Sequence, residues 1–156
     1  MKRALVVLVG VGAVLAVPAA ASAQVQIDRG IAGARLHNTS AQVHAALGRP
    51  ARTHRGTNDF GRFTEETYAG GIVVTYQGGT TVSAVSTSGL GDRTASGVGV
   101  RSTEAQVRRG VPSLHCETVS GARSCHTGSF RPGQRITDFL LSGGRVRRVT
   151  VGFVID

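Results

Sequence analysis

The five residues Thr39-Ser40-Ala41-Gln42-Val43 return almost letter for letter as Thr103-Glu104-Ala105-Gln106-Val107. A chain that repeats a local pattern this closely is constrained to build the same local structure in two places. In each copy a threonine stands three residues ahead of a glutamine, a spacing that predicts a reciprocal capping box and so a helix start. After the first copy Val43, Ala46 and Leu47 form one apolar stripe, and Gly48 and Pro50 supply a cap and a stop. The spacing predicts a helix over Ser40–Leu47. After the second copy Val107 and Val111 keep the stripe, but Gly110 costs about 1 kcal/mol relative to alanine, and Pro112 ends the turn early. A shorter helix over Thr103–Arg109 is expected.

Laid on itself with a shift of 64 residues, the chain pairs Gly33 with Gly97, Leu36 with Val100, Val82 with Val146, Val85 with Val149 and Asp92 with Asp156. The matches fall on capping, turn and core types, which predicts two equivalent units, 29–92 and 93–156. Within the first, β-type runs occupy Arg62–Tyr68, Ile72–Gln77 and Val82–Thr87, separated by paired glycines. The second has Leu114–Val119, Ser124–Gly128, Arg135–Leu141 and Arg145–Phe153. Such tight connections favour antiparallel hairpins. The expected fold is α+β: two tandem units, each a short helix followed by an antiparallel meander, with the helices on one face of a common sheet. The last strand of each unit carries Val-x-x-Val, which needs a bulge or a turn residue to bring both valines to one face, and this would set one of Arg147 and Arg148 on the covered side or its rim. Residues Gln24 to Gly30 show no pattern and are expected to be a flexible lead-in.

Lys2 and Arg3, the uncharged run Ala4–Val17 and the triplet Ala21-Ser22-Ala23 predict a secretory signal peptide, residues 1–23, and one expected domain at 24–156. Both cationic residues of the leader are then lost, so sixteen arginines and no lysine face nine acidic groups, a balance of +7. That excess favours an acidic partner outside the cell, an extracellular protein, an anionic wall polymer or lipid head groups, although a codon habit rich in arginine would give the same count. No second apolar run is long enough to span a membrane. Cys116 and Cys125, an even pair in an exported chain, predict a disulfide across a hairpin turning at Ser120-Gly121-Ala122. A metal site from His115-Cys116 and Cys125-His126 is disfavoured because adjacent strand residues point to opposite faces.

No catalytic constellation stands out. Asp59, Glu65 and Glu66 read as a solvated strand and loop. His37, His44 and His54 read as surface histidines. Gly97-Val98-Gly99 lacks the third glycine and the βαβ setting of a dinucleotide loop. Neither cofactor nor metal is implied. The densest basic clusters are Arg108-Arg109 and Arg145, Arg147 and Arg148; without interleaved aromatics they do not favour nucleic acid.

The pattern Leu36-x-x-Thr39-x-x-Gln42-Val43-x-x-x-Leu47-Gly48-x-Pro50, followed by hairpins, resembles the repeat of the β-lactamase-inhibitor-protein-like fold, which includes outer-membrane-assembly lipoproteins of the SmpA/OmlA/BamE type. The resemblance implies the tandem arrangement of the inhibitor itself. The lipoprotein members carry an acylated Cys absent from this chain, and the aromatic-rich sheet of the inhibitor is matched here by no Trp and two Tyr. The leading expectation is a secreted, non-catalytic binding or adaptor module with Arg145, Arg147 and Arg148 at its partner face. An inhibitor of a secreted enzyme is the alternative, and a small hydrolase the third. N-terminal sequencing of exported material should begin at Gln24; an intact Met1 would exclude the leader.

Overall fold

The computed structural model describes residues 25–155; the expected leader lies outside them. A small antiparallel sheet opens the chain, β1 (Val25–Gln26), β2 (Gly30–Ile31) and β3 (Ala34–Arg35), followed by α1 (Ser40–Leu47). Then come β4 (Arg52–Asn58), β5 (Gly61–Thr67), β6 (Ile72–Gln77) and β7 (Ala84–Thr87). After α2 (Glu104–Gly110) the chain makes β8 (Leu114–Val119), β9 (Ala122–Thr127), β10 (Arg135–Ser142) and β11 (Arg145–Phe153). The eight later strands form one antiparallel sheet in the order β4-β5-β6-β7-β11-β10-β9-β8.

Both helices begin as their sequence requires. Thr39 accepts from the Gln42 backbone N–H while the Gln42 side chain accepts from Thr39, and Thr103 and Gln106 repeat the arrangement. Each helix buries a single valine completely, Val43 or Val107. A helix of two turns covers little of the sheet, and the small sheet fills the gap: β2 lies against β7 and β11 at the centre of the large one. Ile31 and Ala34 enter the core there.

Alternation decides the two faces of the large sheet. On the covered face a row runs across five strands in register, Glu66, Val74, Val85, Val151 and Thr137. A second row joins Val149, Phe139, Cys125 and Cys116. The opposite face carries Val73, Ser86, Thr150, Asp138 and His126 at one level. Val146 and Val149 are both fully buried because the β10–β11 register shifts between Leu140 and Leu141, leaving Arg147 as the extra residue of a bulge. Arg147 and Arg148 are both exposed, so neither reaches the covered side.

Several expectations are corrected. The chain does not build an α+β pair of helix-plus-meander units. It is predominantly β: one continuous eight-stranded sheet, a small three-stranded sheet and two short helices close on a single apolar cluster. Pairing β7 with β11 removes two strand edges that separate meanders would expose. The lead-in is not loose either. Val25 is buried, and the Asp28 carboxylate accepts from Thr127 and Thr137 hydroxyls at 2.5 and 2.9 Å, pinning the first hairpin to β9 and β10. Strand β4 was missed because Arg-Thr-His-Arg-Gly-Thr-Asn, an exposed edge, shows no apolar alternation.

Cys116 and Cys125 face each other across the β8–β9 ladder and are joined as a disulfide. The connecting turn has positive φ at both Ser120 (50°) and Gly121 (81°), the backbone of a tight type I′ hairpin. Cys116→Ser should lower unfolding free energy by about 2–3 kcal/mol, the loop-closure value for so short a ring. Denaturant melts of oxidised protein and variant check this, and equal midpoints would refute it.

Candidate functional site

Beneath α1 lies a buried carboxylate. Glu66, 6% exposed, sits on the covered face because its register partner is Val74. Its Oε2 accepts from the Tyr68 and Tyr76 hydroxyls at 2.7 and 2.9 Å, and Oε1 lies 3.1 Å from His44 Nε2. Burial pushes the Glu66 carboxyl up, but the bonds from Tyr68, His44 and Tyr76 outweigh it and hold the group below the ordinary carboxyl range. Burial and the bond to Glu66 push both tyrosines well up. The solvated reading of Glu66 is thereby overturned, and His44 is half of a contact to a buried acid rather than a plain surface histidine. The missed signal was Tyr68 at i+2 from Glu66, on the same strand face. Ser40 Oγ lies 3.2 Å from His44 Nε2, which assembles the residue types of a hydrolytic triad. Both contacts of His44 use the same ring nitrogen, so the two-ended relay that activates a serine is not formed.

A second carboxylate stands on the uncovered face. Asp138 accepts from the Ser124 hydroxyl. Burial raises its pKa, only partly opposed by Ser124, His126 and Arg148. His126 points its Nε2 toward Glu117 at 3.3 Å, under the Phe130 ring at 4.2 Å, and makes no bond to Asp138. His115 and His126 lie on this face, 5.9 Å apart, while the two cysteines turn to the other. This is the divergence expected of adjacent strand residues. Glu104 approaches both sulfurs, but they are bonded to each other.

The arginines divide sharply. Arg108 and Arg123 converge on Glu104 at 2.8 and 2.6 Å, and these two pairs hold its carboxyl down to about 2. Arg109, beside Arg108 in sequence, turns instead into a cleft of about 470 Å³ between α2, the loop before it and the start of β11. Arg93, Arg101 and Arg145 line the same cleft, and among the described residues no acidic one does. Arg101 and Arg145 also line a neighbouring groove, where Arg147 joins them. Arg147 and Arg148 then border a third, on the uncovered sheet face, together with Glu65. The structure thus brings Arg145, Arg147 and Arg148 to one side of the molecule. It adds Arg109, which the sequence grouped separately with Arg108, and Arg93 and Arg101, which sequence spacing did not collect because they come from the loop before α2.

No protein-family model matches the chain, and no curated protein does. Solved structures share its fold at low identity. An extracellular protein containing an SCP domain from Bacillus anthracis is 8% identical over 76% of this chain, with a TM-score of 0.51, and the chain spans only 44% of that protein. A DUF4309 family protein, YjgB, from Bacillus subtilis is 18% identical over 79% of this chain and 84% of its own, at 0.50. The uncharacterized protein yfeY from Escherichia coli is 14% identical over 80% of this chain and 97% of its own, also at 0.50. Identities this low establish likeness of fold alone. Among the described residues no helix is long and apolar enough to cross a membrane.

The Glu66 network makes a pH prediction. A carboxyl whose folded pKa lies below its unfolded value contributes stability above the ordinary value of 4.5, lost as pH falls through the folded value. Glu66→Gln should cost about 1–3 kcal/mol at neutral pH. Its deficit against the wild type should narrow as pH drops below 4.5, measured by urea melts across the acid range. A deficit independent of pH would show that packing, not charge, is what Glu66 supplies.

Proposed function

We propose that the protein is a non-catalytic binding module that engages an acidic extracellular partner through the basic side of its large sheet, centred on Arg145, Arg147 and Arg148. The observation that carries this reading is the division of the arginines. Where the fold needs arginine it neutralises it on Glu104, whereas in the α2 cleft and the groove beside it Arg93, Arg101, Arg109, Arg145 and Arg147 meet no acid among the described residues. Grouped, unneutralised guanidinium groups raise the local concentration of anions and speed their encounter. Broad grooves without a converging acid, base and nucleophile suit binding better than turnover. The expected leader and the Cys116–Cys125 bridge support an extracellular setting, since such bonds persist in oxidising compartments. The neighbour from Bacillus anthracis, itself described as extracellular, agrees with it.

The test is capture of a partner from culture supernatant and wall fractions, followed by titration in salt. Raising salt from 0.1 to 1 M shortens the Debye length from about 10 to about 3 Å and should release the partner. The triple variant Arg145→Ala, Arg147→Ser, Arg148→Ala should bind about tenfold more weakly, since exposed ionic contacts are worth roughly 0.2–1 kcal/mol each. Thermal melts of the variant check that it remains folded. Binding indifferent to both salt and substitution would overturn the basic-face reading and favour an apolar, inhibitor-type interface.

A further inference from the structure

The two helices stand in closely similar backbone frames, which makes one an internal control for the other. His37 and Arg101 both have positive φ, 69° and 71°. The His37 N–H donates to the Val82 carbonyl and the Arg101 N–H to that of Val146, while Thr39 bridges to Thr81 and Thr103 to Arg145. Read from the cap threonines, the places of Arg93, Arg101, Arg109 and Arg145 around α2 are taken around α1 by Arg29, His37, Ala45 and Thr81. The frame therefore forms with one arginine as readily as with four. The cluster beside α2 is not required by the fold.

Nor is the cluster spent on internal bonds. Arg93 donates to the Gly97 carbonyl and Arg145 to that of Arg101, each through one nitrogen, and neither pairs with an acid among the described residues. The guanidinium groups of Arg101 and Arg109 make no hydrogen bond or ion pair among the described residues. Gln106 lines the same cleft with its oxygen engaged at the Thr103 N–H, leaving its amide hydrogens free to donate. The cleft holds many donors and no negative group.

We infer that this cleft is a phosphate subsite, and that the three connected grooves form a track for a linear, base-free polyanion whose repeating charge is phosphate. The inference rests on the binding-module reading and names its ligand chemistry. Guanidinium forks bind phosphate bidentately, and its several acceptor oxygens allow more than one fork to share it. A carboxylate has two oxygens for four guanidiniums. Arg101 and Arg145 link the first groove to the second, and Arg147 links the second to the third, where Arg147 and Arg148 outnumber Glu65, so positive charge continues along a path rather than around a point. No aromatic ring lines any of the three grooves, so bases would find no stacking platform there.

The experiment titrates the intact secreted protein with sodium polyphosphate by calorimetry at several salt concentrations. Poly-glutamate and single-stranded poly(dT), matched in charge, serve as comparison ligands. The variant is Arg101→Asn with Arg109→Gln: asparagine tolerates the positive φ at 101, and neither side chain removed holds the backbone. Polyphosphate should bind more tightly than either comparison ligand. The double variant should weaken it about tenfold and flatten the dependence of log affinity on log salt by about 1–2, as expected for two lost phosphate contacts. Tighter binding of poly-glutamate overturns the phosphate assignment, and tighter binding of poly(dT) overturns the base-free one. Polyphosphate binding that the Arg145/Arg147/Arg148 variant abolishes but the double variant leaves intact removes the cleft while keeping the basic face. Binding of no polyanion at low salt overturns both.

Discussion

Val85 on β7 lies directly opposite Val151 on β11, and this antiparallel contact joins the last strand of one half of the chain to the last strand of the other. Without it each four-stranded ribbon would end in an open edge, with unpaired N–H and C=O groups and valines facing water. With it the covered face becomes one apolar surface from Glu66 to Thr137, broad enough to seat β2, Val43 and Val107 together. The small sheet can dock only where that surface exists. The seam also keeps the two short helices in place, since each contributes a single fully buried valine and would be marginal in isolation.

Charge is sorted by the same geometry. On the covered side every buried polar side-chain atom among the described residues has a partner. Glu66 is held by two tyrosines and a histidine, Asp28 by two threonines, and Asp92 by Thr87. Such groups would be costly to bury unmatched, so the core admits them only as completed sets. Solvent imposes no such demand on the other side. There Arg147 and Arg148 keep their charges, as Arg101 and Arg109 do in the solvent-filled cleft beside α2, and that freedom lets these surfaces carry a function the fold does not dictate.

The bulge at Arg147 ties the two themes together. Keeping Val146 and Val149 both in the core forces one extra residue into β11, and the displaced position falls among arginines. Packing on one face thus sets where positive charge projects on the other. Arg145, at the strand start, links this patch to the α2 cleft because it bridges to Thr103 through the backbone.

The local signals were legible in the chain. Thr39 with Gln42, and Thr103 with Gln106, mark both helix starts because a capping box needs only residues three apart. Ser120-Gly121 and the flanking runs mark the disulfide hairpin because a tight turn and its two strands are contiguous. Val146-x-x-Val149 reveals a bulge because alternation has a strict period. Other features depend on residues far apart in sequence, and those were decided by tertiary packing. Glu66 looked solvated until Tyr76 from β6 and His44 from α1 closed over it. Strand β4 has no apolar period to read and exists because β5 offers it hydrogen bonds. The merging of expected units into one sheet turns on two strand edges finding each other, with the facing valines, Val85 and Val151, 66 residues apart in sequence. The arginine cleft has the same origin: Arg93, Arg101 and Arg109 recur every eight residues but run through loop and helix with no single period of secondary structure, and only the fold around α2 brings their charges to one place with Arg145.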